Sequence, residues 1–174
     1  MRLISIVGHP RVGKTTLLAM LARELTRRGK RVAAIRAVPD PLEQFDRASD
    51  AGSILHEGQL DGFLQVGRGT RMLLERADTE PSTAELALRY FSDRDLVLAD
   101  NLTDDGIPKI EVFRSSLGPA PLATTSSVQQ DWIAVLSDIE LPAIKCSVLR
   151  FTDTMWLQFL AALVWDRARR FEPS

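Results

Sequence analysis

Cysteine is nearly absent: Cys146 stands alone among 174 residues. One cysteine excludes an internal disulfide and suits a reducing compartment, here taken to be the cytoplasm. Beside Ile144 and Val148 it reads as a buried small hydrophobe, and no His or Asn pattern supports a catalytic thiol. Long apolar runs are missing too. The longest candidate, Met155 to Val164, is too short to span a bilayer and contains Gln158. Charge of either sign is not in excess, since 22 basic and 23 acidic residues leave a net charge of −1. That balance argues against non-specific binding to nucleic acid or a membrane surface. One early Arg followed at once by an apolar strand is no signal peptide. Repeats and a domain-sized linker are also lacking, so residues 1–174 suit one domain with a sizeable core.

What is present is concentrated near the start. Gly8-His9-Pro10-Arg11-Val12-Gly13-Lys14-Thr15 is a complete G-x-x-x-x-G-K-[ST] phosphate loop. Leu3 to Val7 reads as a buried strand before it, and Thr16 to Arg28 as a helix after it. That strand–loop–helix order separates a working loop from a chance match. Glycines let successive backbone N–H groups turn inward toward phosphate oxygens, and the helix start adds positive potential. Gly8, Arg11, Val12, Gly13, Lys14, Thr15 and Thr16 are thus the candidate phosphate cradle. Lys14 would reach the β- and γ-phosphates, Arg11 is a further candidate cation, and the Thr15 hydroxyl would ligate Mg²⁺.

Leu17, Leu18, Leu21 and Leu25 share one helix face, and Gly29 stands where a C-terminal cap belongs. Arg31 to Ile35 reads as a second strand, so the unit is a βαβ crossover with a parallel sheet. Pro39 and Pro41 mark a loop, followed by a short helix around Phe45 to Ala51. Short strands are expected around Gly62–Val66 and Arg71–Leu74. Ser82 with Glu85 three residues on forms a capping box for a helix to Phe91. Lys109 to Arg114 alternates polar and apolar, as a half-exposed strand does. Gly118 to Ser127 reads as loop, Trp132 to Leu136 as a buried strand, and Ser147 to Phe151 as a short one. Asp153 to Arg169 reads as a closing amphipathic helix, with Arg167, Arg169 and Arg170 as its solvated end.

Asp95 to Asp100 is an apolar strand ending in an acid, the Walker B pattern. Such an acid sits at the sheet's carboxyl edge beside the phosphate loop and holds Mg²⁺ directly or through water. The other reading of Asp100 is a turn cap. Ser137-Asp138 also ends a strand, and either contacts the nucleotide base or caps a turn. No Asn-Lys-x-Asp string, the usual guanine reader of signalling GTPases, is present. Asp40 and Asp100 are the candidates for orienting the attacking water, and together with Lys14 they form the catalytic set.

Several strings coincide with one family. Beyond the phosphate loop these are Gly29-Lys30-Arg31-Val32-Ala33-Ala34-Ile35-Arg36, Arg47 with Ala51-Gly52, and Asp95 to Asp100. Pro108-Lys109-Ile110-Glu111-Val112-Phe113-Arg114 and Ile133 to Asp138 follow. In these the chain resembles, almost end to end, the B protein of molybdopterin-guanine dinucleotide biosynthesis. The family's usual Lys-His-x-His-His run after the second strand is replaced by Arg36-Ala37-Val38-Pro39-Asp40. Asp100 replaces its Glu, and Asn101-Leu102-Thr103 its Gly-Phe-Lys. The resemblance implies a P-loop NTPase fold, a three-layer α-β-α sandwich on a mostly parallel sheet with a few extra short strands. It also implies a slow GTPase adaptor using GTP (ATP is the other candidate) and Mg²⁺. A homodimer and a protein client in molybdenum-cofactor guanylylation or insertion complete that expectation. Two readings from other classes stay open. One is a small-molecule kinase, with Arg68, Arg71 and Arg76 as a lid or as solvated surface. The other is a nucleotide-binding interaction module without turnover.

Overall fold

The computed structural model describes residues 1–38, 54, 58, 60–75, 79–104, 106–125 and 131–172. The expected helix around Phe45 to Ala51, the candidate Asp40 and the strings at Arg47 and Ala51-Gly52 lie outside the described residues. The chain separates into two compact units, Met1–Ala37 with Ser82–Ser174, and Val38–Pro81.

In the larger unit the strands are β1 (Arg2–Val7), β2 (Val32–Arg36), β5 (Leu96–Asp100), β6 (Lys109–Phe113), β7 (Trp132–Ser137), β8 (Ser147–Arg150) and β9 (Arg169–Arg170). The helices are α1 (Lys14–Arg27), α2 (Thr83–Phe91), α3 (Leu122–Thr125) and α4 (Trp156–Arg167). They build a seven-stranded sheet in the order β2-β5-β1-β6-β7-β8, all parallel, with β9 added antiparallel to β1. Apolar residues alternate between its faces, as the pleat demands. Ile4, Ile6, Leu96, Leu98, Ile110, Val112 and Leu136 pack with Leu17, Leu21 and Leu25 of α1 and Leu160 and Val164 of α4. On the opposite face Leu3, Val97 and Ala99 meet Ala87 and Phe91 of α2. The unit is therefore an α/β sandwich with helices on both faces of a mostly parallel sheet, as expected.

Local chemistry sets the element ends. Gly29, at φ 77°, ends α1: its N–H reaches Thr26 O at 2.9 Å and Lys30 N reaches Leu25 O at 3.1 Å. This double bond pattern satisfies carbonyls the helix would leave open, at a φ that favours glycine. The capping box of α2 forms, with Ser82 Oγ accepting from Glu85 N and Glu85 Oε2 from Ser82 N.

Three expectations are corrected. The strand at 109–114 is not half-exposed, because every residue of β6 is buried. It lies between β1 and β7, and its polar residues are satisfied inside. Lys109 donates to Asp104 O at 3.0 Å and Ile107 O at 3.2 Å, and pairs with Asp131. Within the loop expected at 118–127, Leu122–Thr125 forms the short α3, because the Glu111 carboxylate accepts from Leu122 N and Ala123 N. The last helix spans Trp156–Arg167 rather than Asp153 to Arg169. Asp153 instead accepts from Arg150 N at 2.7 Å, and Arg169–Arg170 becomes β9. β6 meets β1 only from Ser5 onward, so Arg2 and Leu3 keep an open side that β9 fills.

The smaller unit holds an antiparallel hairpin of β3 (Gly62–Gly67) and β4 (Thr70–Glu75), turning through Arg68 and Gly69. Leu64, Val66, Met72 and Leu73 are exposed on it.

Candidate phosphate and metal site

The carboxyl end of β1 runs into the glycine loop. Gly8 has φ 146°, and a Cβ there would stand 2.4 Å from Val112 O. Only glycine lets the chain pass this close to β6. Val12 is buried, Arg11 is left-handed at φ 65°, and Gly13 at φ 106° opens α1 with no side-chain cap. No acidic residue occupies the first turn of α1, so its leading N–H groups and dipole are available to an anion. Thr15 and Thr16 lie exposed on that first turn. Lys14 folds back over the loop, its Nζ donating to Gly8 O and His9 O, each at 2.9 Å. Burial lowers the ammonium below its ordinary value; Asp100 opposes that shift and Arg36 adds to it.

Asp100 ends β5 and is registered against Ile6 of β1, two residues before Gly8. It is 3% exposed. Its Oδ2 lies 3.4 Å from Arg36 Nε, and its Oδ1 is buried with no hydrogen-bond partner. An orphaned buried carboxylate oxygen is costly and needs a cation or donor. Mg²⁺ is ordinarily held by one or two carboxylates together with substrate phosphates rather than by an all-protein cage. The residues fit that pattern. Among the described residues no cluster of three or more His, Cys, Asp or Glu forms a metal cage, while Asp100 stands beside the phosphate loop. Asp100 and Thr15 are the residues that would hold the ion, and Lys14 and the loop amides its phosphates.

Ser137 and Asp138 are committed to the protein. Ser137 Oγ accepts from Ile139 N at 3.0 Å. Asp138 accepts from Ser115 N at 2.9 Å and Ser115 Oγ at 3.2 Å, which ties the loop after β6 to the loop after β7. Burial raises this carboxyl most, yet the Ser115 bonds together leave it below the ordinary value. The geometry is that of a turn cap.

Two residues without a role in the sequence reading belong to the site. His9 Nε2 lies 2.9 Å from Ala120 O, and its ring packs on Gly118, where a Cβ would stand 2.4 Å from Cδ2. Glu111, fully buried, anchors the same 118–123 segment from below. Burial raises its carboxyl above the ordinary value, while the Ala123 and Leu122 amides and His9 pull the other way. Glu111 gave no signal of this role in the sequence, because its alternation with Ile110 and Val112 reads as a solvated face. Arg36 was visible as the end of a string shared with the family and the start of the departure from its Lys-His-x-His-His run, with no role attached. Cys146 is half-buried, and burial pushes its thiol up, so it is no activated nucleophile. Arg68 and Arg71 are exposed on the hairpin, and Arg76 lies outside the described residues. No described helix is long and apolar enough to cross a membrane.

Solved structures with this architecture are close in fold and distant in sequence. A MobB protein homolog from Bacillus stearothermophilus aligns over 96% of this chain and 100% of its own, with 20% identity and a TM-score of 0.68. MobB of Bacillus subtilis aligns over 94% and 98%, with 15% identity and a TM-score of 0.71. A structure described as molybdopterin-guanine biosynthesis protein B aligns over 94% and 97%, with 21% identity and a TM-score of 0.66. No curated sequence matches this chain. The family described as Molybdopterin guanine dinucleotide synthesis protein B matches residues 3–138, a span that takes in the glycine loop, Asp100, Glu111 and Asp138. With most of its length inside that match, the chain belongs to the MobB family.

Proposed function

We propose that this chain is a nucleotide-binding adaptor in molybdopterin guanine dinucleotide synthesis. It binds GTP (ATP being the other candidate) with Mg²⁺ and hydrolyses it slowly. One observation carries the nucleotide reading. A buried carboxylate with an unpartnered oxygen, Asp100, is registered beside a glycine loop that opens an uncapped helix and carries Lys14. When bound, Mg²⁺ supplies charge neutralisation to the terminal phosphates. The chain's own contributions are positional. The amides of Gly8 and of Arg11 to Thr16 orient the phosphates, Lys14 leaves the carbonyls of Gly8 and His9 to meet them, and Asp100 and Thr15 fix the ion. Preference for guanine rests on family membership. Asp40 and Asp100 remain the proposed candidates for orienting the attacking water.

The pathway assignment follows from the family. The partners we propose are a second copy of this chain and a protein client that guanylylates or inserts the molybdenum cofactor, in the cytoplasm. The exposed Leu64, Val66, Met72 and Leu73 on a two-stranded hairpin support a protein-facing surface. Calorimetric titration with GTP and ATP, each with and without Mg²⁺, tests the reading, followed by phosphate release at steady state. Mg²⁺-dependent binding with slow, acceptor-independent release is expected. Absence of binding to both nucleotides refutes it.

A further inference from the structure

Two cations face Asp100, and the phosphate chemistry above uses only one of them. Lys14 is held over the carbonyls of its own loop. Arg36 is the other. It is the last residue of β2, its backbone registered directly against Asp100, and Ala37 N donates to Asp100 O at 3.3 Å. The Arg36 side chain is 60% exposed, while that of Asp100 is 4% exposed. The pair at 3.4 Å is therefore lopsided: a buried carboxylate is met by a guanidinium that water still solvates. Pairs with one solvated partner are worth little and open readily. A guanidinium offers five donors in a plane, and the contact with Asp100, its one ion pair among the described residues, engages little of that capacity at 3.4 Å.

We infer that Arg36, paired with Asp100 in this structure, is a phosphate-reading cation that selects triphosphate over diphosphate. This rests on the nucleotide reading proposed above and goes beyond it. The strand order β2-β5-β1 aligns Arg36, Asp100 and the start of the glycine loop along one edge of the sheet. The carboxylate that would hold Mg²⁺ is the one Arg36 occupies, so the two cations compete for it. Displaced from Oδ2, Arg36 remains at the same edge with its fork free, and the terminal phosphate is the anion brought there. Arginine matches phosphate oxygens in a bidentate manner that a point charge does not. A contact made only to the terminal phosphate strengthens triphosphate binding and leaves diphosphate binding alone.

Calorimetry on the 174-residue chain, Arg36→Ala and Arg36→Lys, with GTP, GDP, ATP and ADP in Mg²⁺, tests this. Arg36→Ala is expected to weaken triphosphate binding about ten- to a hundredfold, the range of one charge-assisted contact. Diphosphate affinity is expected to stay the same or tighten, since Asp100 loses its competitor. Arg36→Lys recovers part of the preference. The exposed side chain lets both variants fold, which circular dichroism verifies. If the unaltered chain binds triphosphate and Arg36→Ala keeps the same triphosphate-to-diphosphate ratio, the role of Arg36 is overturned and the nucleotide reading stands. Equal losses for both nucleotides overturn it likewise. If the unaltered chain binds none of the four, both fall together.

Discussion

Replacing Asp100 by Asn separates the cost of this carboxylate from its use. In this structure the group is 3% exposed and Oδ1 has no hydrogen-bond partner. A buried acceptor left unsatisfied costs about 1–3 kcal/mol, and more when charged. Of the two cations that face it, Arg36 is largely solvated and Lys14 is bonded to the carbonyls of Gly8 and His9, so together they return roughly 0–1 kcal/mol. Asn keeps the shape and removes the charge. The variant should therefore be more stable than the parent by about 1 kcal/mol, a rise in Tm of about 2–4 °C for a chain of this length. The liganded comparison runs the other way. At a hundredfold excess over Kd, Mg²⁺–GTP should stabilise the parent by about 2.7 kcal/mol, or roughly 5–10 °C. Asp100→Asn should lose most of that increment, and more of its affinity with Mg²⁺ than without. Thermal melts with and without nucleotide, in Mg²⁺ and in chelator, read both arms. A drop of several degrees in the empty protein would show that Asp100 is a structural cap. A full ligand increment in the variant would show that the metal assignment is wrong.

Lys14→Ala should nearly abolish triphosphate binding and leave the far-UV circular dichroism unchanged, because Lys14 gives up only two bonds to loop carbonyls. Unaltered affinity in calorimetry would refute the loop's assignment. Glu111→Ala should destabilise by about 2–5 kcal/mol, since Leu122 N and Ala123 N lose their acceptor, and urea melts measure it. The raised Glu111 carboxyl also has a signature in pH. Between its ordinary value and the raised one the unfolded chain releases the proton first, so stability declines as pH rises through that window. Glu111→Gln should flatten that decline, and an identical slope in parent and variant would exclude Glu111 as its source. Light scattering at micromolar concentration should give twice 19.4 kDa; the monomer mass with and without nucleotide would remove the dimer.

Elements that carry their own instructions were legible in the sequence. The glycine loop, α1 with its Gly29 cap, the Ser82–Glu85 box and the apolar strands β1, β5 and β7 depend on neighbours within a few residues. What was misread depends on distant partners. Glu111 alternates with Ile110 and Val112 as a surface residue would, and only the amides of Leu122 and Ala123 make its burial tolerable. The same two bonds create α3, which has no helical pattern of its own. β9 is two arginines with no apolar signal, defined by the side of β1 that β6 does not reach. In the site, Lys14 and Asp100 follow from a motif and a strand end, whereas the role of Asp138 turned on Ser115, far off in sequence. Arg36 became meaningful only once the strand order set it against Asp100.

The contact between His9 and Gly118 makes two remote positions into one inherited character. A Cβ at 118 would stand 2.4 Å from Cδ2 of the His9 ring, so the choice at 118 depends on what stands at 9. A ring at the second residue of the glycine loop demands a bare backbone at 118, and a methyl group at 118 demands a smaller residue at 9 or a displaced loop. The x positions of a phosphate-loop motif are usually regarded as free. Here one of them is tied to a segment more than a hundred residues away, and position 118 is open to a side chain only after the ring at 9 has moved or been replaced.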